Sequence, residues 1–226
     1  MTGAAGTIVS IHPHSKRHGQ YKLKLTGSRI AEDGEAGGDQ GTLMVHEDVV
    51  VALGLRVGTV ITEELADAIA REQEVSEIKH SALRLLGVRS RSRPELASAL
   101  VRKRFRPQLI DEVLAKLENL GLIDDQAFAR ELTASLVRRQ GYGRRGLEYR
   151  LRGSGVSEEV VRGVVDETLR GVDEVRRAVE ALSRRLPRWE ALPPEKRRAK
   201  GYQFLARLGY DGEAISDALN TALADE

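Results

Sequence analysis

The chain has 226 residues and no cysteine, which excludes disulfides and thiolate chemistry and is compatible with a reducing compartment. No apolar run approaches the roughly twenty residues that span a bilayer, and Met1 is followed by a polar, Gly-rich stretch rather than a signal peptide, so a soluble cytoplasmic protein is expected. The net charge of +2 hides an asymmetry. Basic residues stand against acidic ones 9 to 12 over residues 1–88, 15 to 8 over 89–152 and 12 to 14 over 153–226, leaving a local excess of +7 in the middle. Such a field attracts a polyanion or an acidic surface without a high overall charge.

The first sixty or so residues carry period-two signals. Tyr21, Leu23 and Leu25 alternate with Lys22 and Lys24, as in a half-buried strand. Ile8, Val9 and Ile11 predict an earlier partner, and Leu43, Met44 and Val45 a third short strand. The stretch from Gly27 to Gly41, rich in Gly and acids, reads as a loop, and Val49 to Leu55 as a short helix closed by Gly54. This β-rich element is too small to be very stable alone.

From Glu63 the period changes to 3.6. Glu63 to Gln73 reads as a connecting helix, and Ile78, Ala82, Leu83 and Leu86 mark the next. Ser92-Arg93-Pro94-Glu95 has capping-box spacing with Pro in the first turn, where its missing N–H costs nothing. A further helix starts at Pro107 and runs through Ile110, Val113, Leu114, Leu117 and Leu120 to Gly121. The next set opens at Asp124 with Phe128, Ala129, Leu132 and Leu136 on one face, breaks at Gly141 and Gly143, continues through Leu147 and Leu151, and restarts at Ser157-Glu158-Glu159. A last set has Val175, Val179 and Leu182 on one face, a break at Pro187, Pro193 and Pro194, and helices around Phe204–Leu205 and Ile215–Leu219.

One pattern occurs three times: Leu100, Phe105, Ile110, Val113; Leu151, Val156, Val161, Val164; Leu205, Tyr210, Ile215, Ala218. Identical internal spacing about fifty residues apart signals a helical array, which exposes an extended surface and acts by binding something long. The expected architecture is therefore mainly α: an elongated array of three tandem three-helix repeats, nine helices in all, behind a small N-terminal element containing a β-hairpin. The boundaries read as 1–62 for the β element, 63–122 for the connecting helix and first repeat, 123–171 for the second repeat and 172–226 for the third.

At Gly121-Leu122-Ile123-Asp124-Asp125-Gln126-Ala127-Phe128-Ala129 the chain resembles the RecX family, whose signature "GLIDDxxFA" lies between the first and second repeats. Ala82-Leu83-Arg84-Leu85-Leu86 before the capping box, Gly141-Tyr142-Gly143, and Leu151 followed by Gly155-Val156-Ser157-Glu158-Glu159 extend the likeness over nearly the whole chain. Two departures are the long stretch Gly27–Gly41 and the insert Arg188–Pro194. The resemblance implies a non-enzymatic regulator of the RecA recombinase, in homologous recombination and the SOS response. It implies binding along the groove of the RecA filament on single-stranded DNA, curbing ATP hydrolysis, strand exchange and co-protease activity. Small contacts would add along successive subunits. A monomer without cofactor, metal or membrane fits that role.

The residues themselves offer little chemistry besides charge. There is no Gly-x-x-x-x-Gly-Lys-Ser/Thr cradle, and Gly141-x-Gly143-x-x-Gly146 has no strand before it to make a dinucleotide loop. Asp124-Asp125 reads either as paired carboxylates or, preferably, as a helix N-cap followed by an acid favouring the dipole. His12, His14 and His18 lack the Cys or patterned acid that a metal site needs. Phe105, Phe128, Trp189 and Tyr210 read as core.

The basic residues are the binding candidates. Arg102, Lys103, Arg104 and Arg106 close a helix of the first repeat, Arg138 and Arg139 close one of the second, and Arg144, Arg145 and Arg150 follow. Cations near helix C-termini complement the dipole; Arg144 and Arg145 enter an N-terminus, where they are unfavourable, and that cost points to an anionic partner. Tyr142 and Tyr149 among them are read as packing or as platforms for bases. The competing reading is a helical protein that binds single-stranded or duplex DNA directly, as a coating or transcription factor; weak direct DNA binding is compatible with both.

Overall fold

The computed structural model of the protein describes residues 6–26 and 40–224. The predicted loop Gly27–Gly41 lies outside the described residues except for Gln40 and Gly41, which belong to a strand. The chain forms two compact units, one of Met1–Gly87 with Ala99–Lys116 and one of Val88–Ser98 with Leu117–Glu226.

The first unit holds an antiparallel sheet of β1 (Gly6–Pro13), β2 (Gln20–Thr26), β3 (Gln40–His46) and β4 (Val60–Ile61), in the order β3-β2-β1-β4. Ile8 pairs with Leu25, and Leu23 with both Ile11 and Leu43, so the period-two residues face one core. Ile8, Leu23, Leu25 and Val45 are buried there with Val49 of α1 (Glu47–Ala52), Leu55, Ile61 and Ile69. β4 escapes a search for alternation because it has only two residues, Val60 exposed and Ile61 buried.

The expected connecting helix and the first repeat helix are one continuous helix, α2 (Glu63–Val88). No Gly or Pro interrupts Gln73 to Ile78, and the polar residues between them serve as ties. The Gln73 side-chain oxygen accepts from the His46 N–H (2.9 Å), and the Ser76 hydroxyl donates to Asp48 (3.2 Å). Leu83, predicted on the face of Ile78 and Ala82, is exposed.

The chain passes between the units three times, at the end of α2, within α3 (Arg93–Arg102) and within α4 (Pro107–Asn119). The second unit then adds α5 (Asp125–Gln140), α6 (Arg144–Gly153), α7 (Glu158–Leu169), α8 (Glu174–Ser183), α9 (Pro194–Leu208) and α10 (Gly212–Ala222). A short 3-10 turn, Leu186–Trp189, fills part of the Pro-rich break. Helices α2 to α10 thus supply three sets of three. Phe128, Leu147, Leu151, Val161, Leu182, Leu205 and Ile215 share the core of the second unit.

The threefold pattern marks the corner between the second and third helices of each set. Its first residue lies in the second helix, its second in the corner, and its last two on the third helix; all are buried except Phe105, which is half-buried. The residue just before the second position is left-handed each time: Arg104 (φ 68°), Gly155 (78°) and Gly209 (82°). Two corners use glycine, which pays no Cβ penalty there, and the first uses an exposed arginine. Leu120, expected on the buried face of α4, is 72 % exposed. It lies one residue past the end of α4, in the turn that Gly121 makes with φ 69°.

Candidate functional site

The signature segment serves the fold. The Leu122 N–H donates to the Leu117 carbonyl (2.9 Å), Ile123 and Phe128 are buried, and the Asp124 carboxylate accepts from the N–H groups of Gln126 (2.9 Å) and Ala127 (2.8 Å) as the N-cap of α5. Asp125 does more than favour a dipole: its Oδ1 accepts the Arg93 N–H at 2.6 Å. Beside it Ser92, fully buried, accepts the Glu95 N–H (3.2 Å) and donates to the Ser154 carbonyl (2.6 Å). The start of α3 is therefore held by the start of α5 and the corner after α6. Both aspartates are engaged structurally, and among the described residues no three His, Cys, Asp or Glu side chains are grouped to hold a metal.

The glycine run Gly141, Gly143, Gly146 interlocks α6 with α9. The Gly143 N–H donates to the Leu208 carbonyl (2.9 Å) and the Arg145 N–H to the Gly209 carbonyl (3.2 Å), so the N-terminus of one helix meets the C-terminus of the other with complementary dipoles. A Cβ on Gly146 would lie 2.1 Å from the Leu208 carbonyl oxygen, and one on Gly143 would lie 2.8 Å from that of Gly209. Only glycine allows this approach. The Tyr210 hydroxyl donates to the Gly141 carbonyl (2.8 Å), and burial raises its pKa above the usual phenol value. These N–H groups are spent within the protein, which accounts for the spacing without a nucleotide.

The nine basic candidates separate by surroundings. In the first unit, Arg106 is held by Glu74 through both its Nε (2.6 Å) and its backbone N–H (2.8 Å), while Arg102, Lys103 and Arg104 are exposed. In the second, Arg144 pairs with Asp166 at 2.6 Å and lies 3.9 Å from Glu148. The electrostatic cost inferred for Arg144 is thus relieved inside the fold, by these acids and by the α9 carbonyls at the same helix end. Arg150 donates to the Tyr142 hydroxyl through Nε (3.1 Å) and Nη2 (2.7 Å) and stands 5.3 Å over its ring, so Tyr142, itself buried, is packing. Arg138, Arg139 and Arg145 are exposed. Among the described residues, Arg102, Lys103, Arg104, Arg138, Arg139 and Arg145 form no ion pair with a carboxylate.

Arg145 and Arg150 share a cavity of about 450 Å³ with Tyr149, Tyr202 and Arg207. Tyr202 and Arg207, both on α9, were not among the candidates. They lie in a segment whose overall balance is acidic, and more than fifty residues separate them from Arg145 and Tyr149. The glycine interlock, which brings α9 against α6, was their one signal. By its architecture the protein is a helical-repeat protein with a small antiparallel sheet at its N-terminal end.

Comparison with known proteins agrees with this architecture. Family profiles described as RecX, first, second and third three-helix domain match residues 79–117, 124–164 and 173–219. The regulatory protein RecX of Chlorobaculum tepidum is 36 % identical over 155 residues, covering 69 % of this chain and 94 % of that protein. The regulatory protein RecX of Mycolicibacterium smegmatis is 34 % identical over 171 residues, covering 73 % and 87 %. A crystal structure of regulatory protein RecX superposes with a TM-score of 0.72 at 21 % identity over 98 % of this chain and all of that one; RecX from Lactobacillus salivarius gives 0.55 at 19 % over 67 % and 97 %. The chain belongs to the RecX family, whose members are named regulatory proteins. Among the described residues no helix is long and apolar enough to cross a membrane.

Proposed function

We propose that this protein is a non-enzymatic, cytoplasmic regulator that binds the RecA filament on single-stranded DNA and curbs its ATPase, strand exchange and co-protease activities. Membership of the RecX family supports the reading, and the observation that carries it is the set of exposed cations that pair with no carboxylate among the described residues. Arg102 ends α3, the second helix of the first repeat, with Lys103 and Arg104 just after it, and Arg138 and Arg139 lie in the last turn of α5, the first helix of the second. In a chain with 34 acidic residues, cations that stay unneutralised are available to an outside anion. Division into a β element (1–62) and three repeats (63–122, 123–171 and 172–226) gives each repeat its own contact. Several weak contacts on successive subunits of a filament then combine into one stable attachment. The protein acts as a monomer in this reading.

The test is co-sedimentation with RecA filaments assembled on single-stranded DNA. Arg138→Glu with Arg139→Glu should reduce the bound fraction several-fold while far-UV circular dichroism stays unchanged. Undiminished binding by that folded variant would remove these arginines from the interface.

A further inference from the structure

We propose that the cavity between α6 and α9 continues past Arg207 into a second basic cavity, and that the two hold successive nucleotides of a single nucleic-acid strand. The second cavity, of about 330 Å³, is lined by Arg185, Arg188, Trp189, Lys200, Gln203 and Arg207. Arg207 lines both. On α9, Tyr202 and Ala206 sit one turn apart and line the first cavity, while Lys200 and Gln203 lie on the adjacent stripe and line the second. Both volumes fall within the range of about 300–1,000 Å³ typical of small-ligand pockets.

The chemistry of the walls identifies the occupant. Six cations, Arg145, Arg150, Arg185, Arg188, Lys200 and Arg207, line the two cavities, and among the described residues no Asp or Glu does. Interleaved with them are aromatic faces that the fold leaves uncovered: Tyr149 is 75 % and Tyr202 47 % exposed. Trp189 is half-buried, held edge-on to Phe204 at 6.0 Å, while Arg185 covers the other ring at 5.5 Å. Cations alone would serve an acidic peptide equally well. Cations alternating with exposed rings serve a single strand better, because every base has a face to stack and every link a phosphate to pair. A duplex keeps its bases stacked inside and offers these rings nothing. In this arrangement one base stacks with Tyr149 or Tyr202, the next meets Trp189, and the phosphate between them falls at Arg207. The stretch Arg188–Pro194 thereby acquires a use: it supplies Arg188 and Trp189.

The proposal does not rest on the recombinase reading, so it is tested without recombinase. Trp189 is the chain's single tryptophan, and its emission reports the second cavity directly. The full chain is titrated with a short oligothymidylate at several salt concentrations. Binding should quench Trp189. Tyr149→Ala and Tyr202→Ala, both at exposed positions, should each weaken binding about five-fold or more. Arg207→Gln should lower the log–log salt slope by about 0.7, and Arg207→Lys should restore it. The proposal is overturned if Trp189 is not quenched, or if both tyrosine variants bind like the parent. It is also overturned if polyglutamate of matched charge displaces the oligonucleotide as well as a second oligonucleotide does, since the site would then recognise charge alone.

Discussion

Replacing Gly146 by alanine should destabilise the second unit by about 2–4 kcal/mol, although alanine is the better helix former. In an open helical position the same change stabilises by about 1 kcal/mol. At Gly146 the new methyl would stand 2.1 Å from the Leu208 carbonyl oxygen and 2.6 Å from Cδ1 of Tyr142, so α6 and α9 must move apart. Overpacking of this kind costs about 1–3 kcal/mol. Separation also breaks the bonds from the Gly143 and Arg145 N–H groups to the α9 carbonyls, each worth about 1 kcal/mol and more where a buried partner is left unpaired. Subtracting the helix gain leaves the stated range. Gly163 is the internal control: it is exposed in the middle of α7, with nothing within 4 Å of an added Cβ, so Gly163→Ala should stabilise by about 1 kcal/mol. Urea unfolding followed by circular dichroism at 222 nm measures both. Equal effects of the two substitutions would refute the interlock.

Three further outcomes follow from the geometry. Arg104→Gly should stabilise by about 0.5–1 kcal/mol, because relief of left-handed strain exceeds the added unfolded-state entropy; a lower urea midpoint would contradict this. Ser92→Ala should cost about 2–4 kcal/mol, since it removes an N-cap and strands the Ser154 carbonyl, and a loss below about 0.5 kcal/mol would show the contact to be idle. His46 stacks on His80 with ring centroids 4.8 Å apart, and burial, then the His80 charge, holds its pKa below the usual 6.5 against the opposing pull of Glu77 and Asp48. The unfolded chain therefore takes up the proton first, so the stability of the first unit is full above about pH 6.5 and falls as the pH drops below it. His46→Gln should flatten that dependence; an unchanged acid profile would assign it to other groups.

How much could be read in advance depends on how local each signal was. The corners were legible because the four positions around each turn must be apolar whatever the turn's sequence, and so was Asp124, whose capping partners lie two and three residues away. The join within α2 was not, because Gln73 and Ser76 look like a polar break until their partners His46 and Asp48 are placed beside them. Arg144 looked strained for the same reason: Asp166, which neutralises it, lies twenty-two residues away on another helix. Counting charge by segment drew attention to residues 89–152 and away from Lys200 and Arg207. The acids of the third segment outnumber its bases, yet none of those among the described residues lines the two cavities.

The central claim, regulation of RecA, is tested most directly by the single-stranded-DNA-dependent ATPase rate of the cognate RecA as this protein is titrated in, with and without excess DNA. A filament regulator suppresses the rate at well below one molecule per RecA subunit, and the suppression persists when DNA is in excess. Suppression that vanishes on adding DNA would mean simple competition for the strand and would contradict filament regulation.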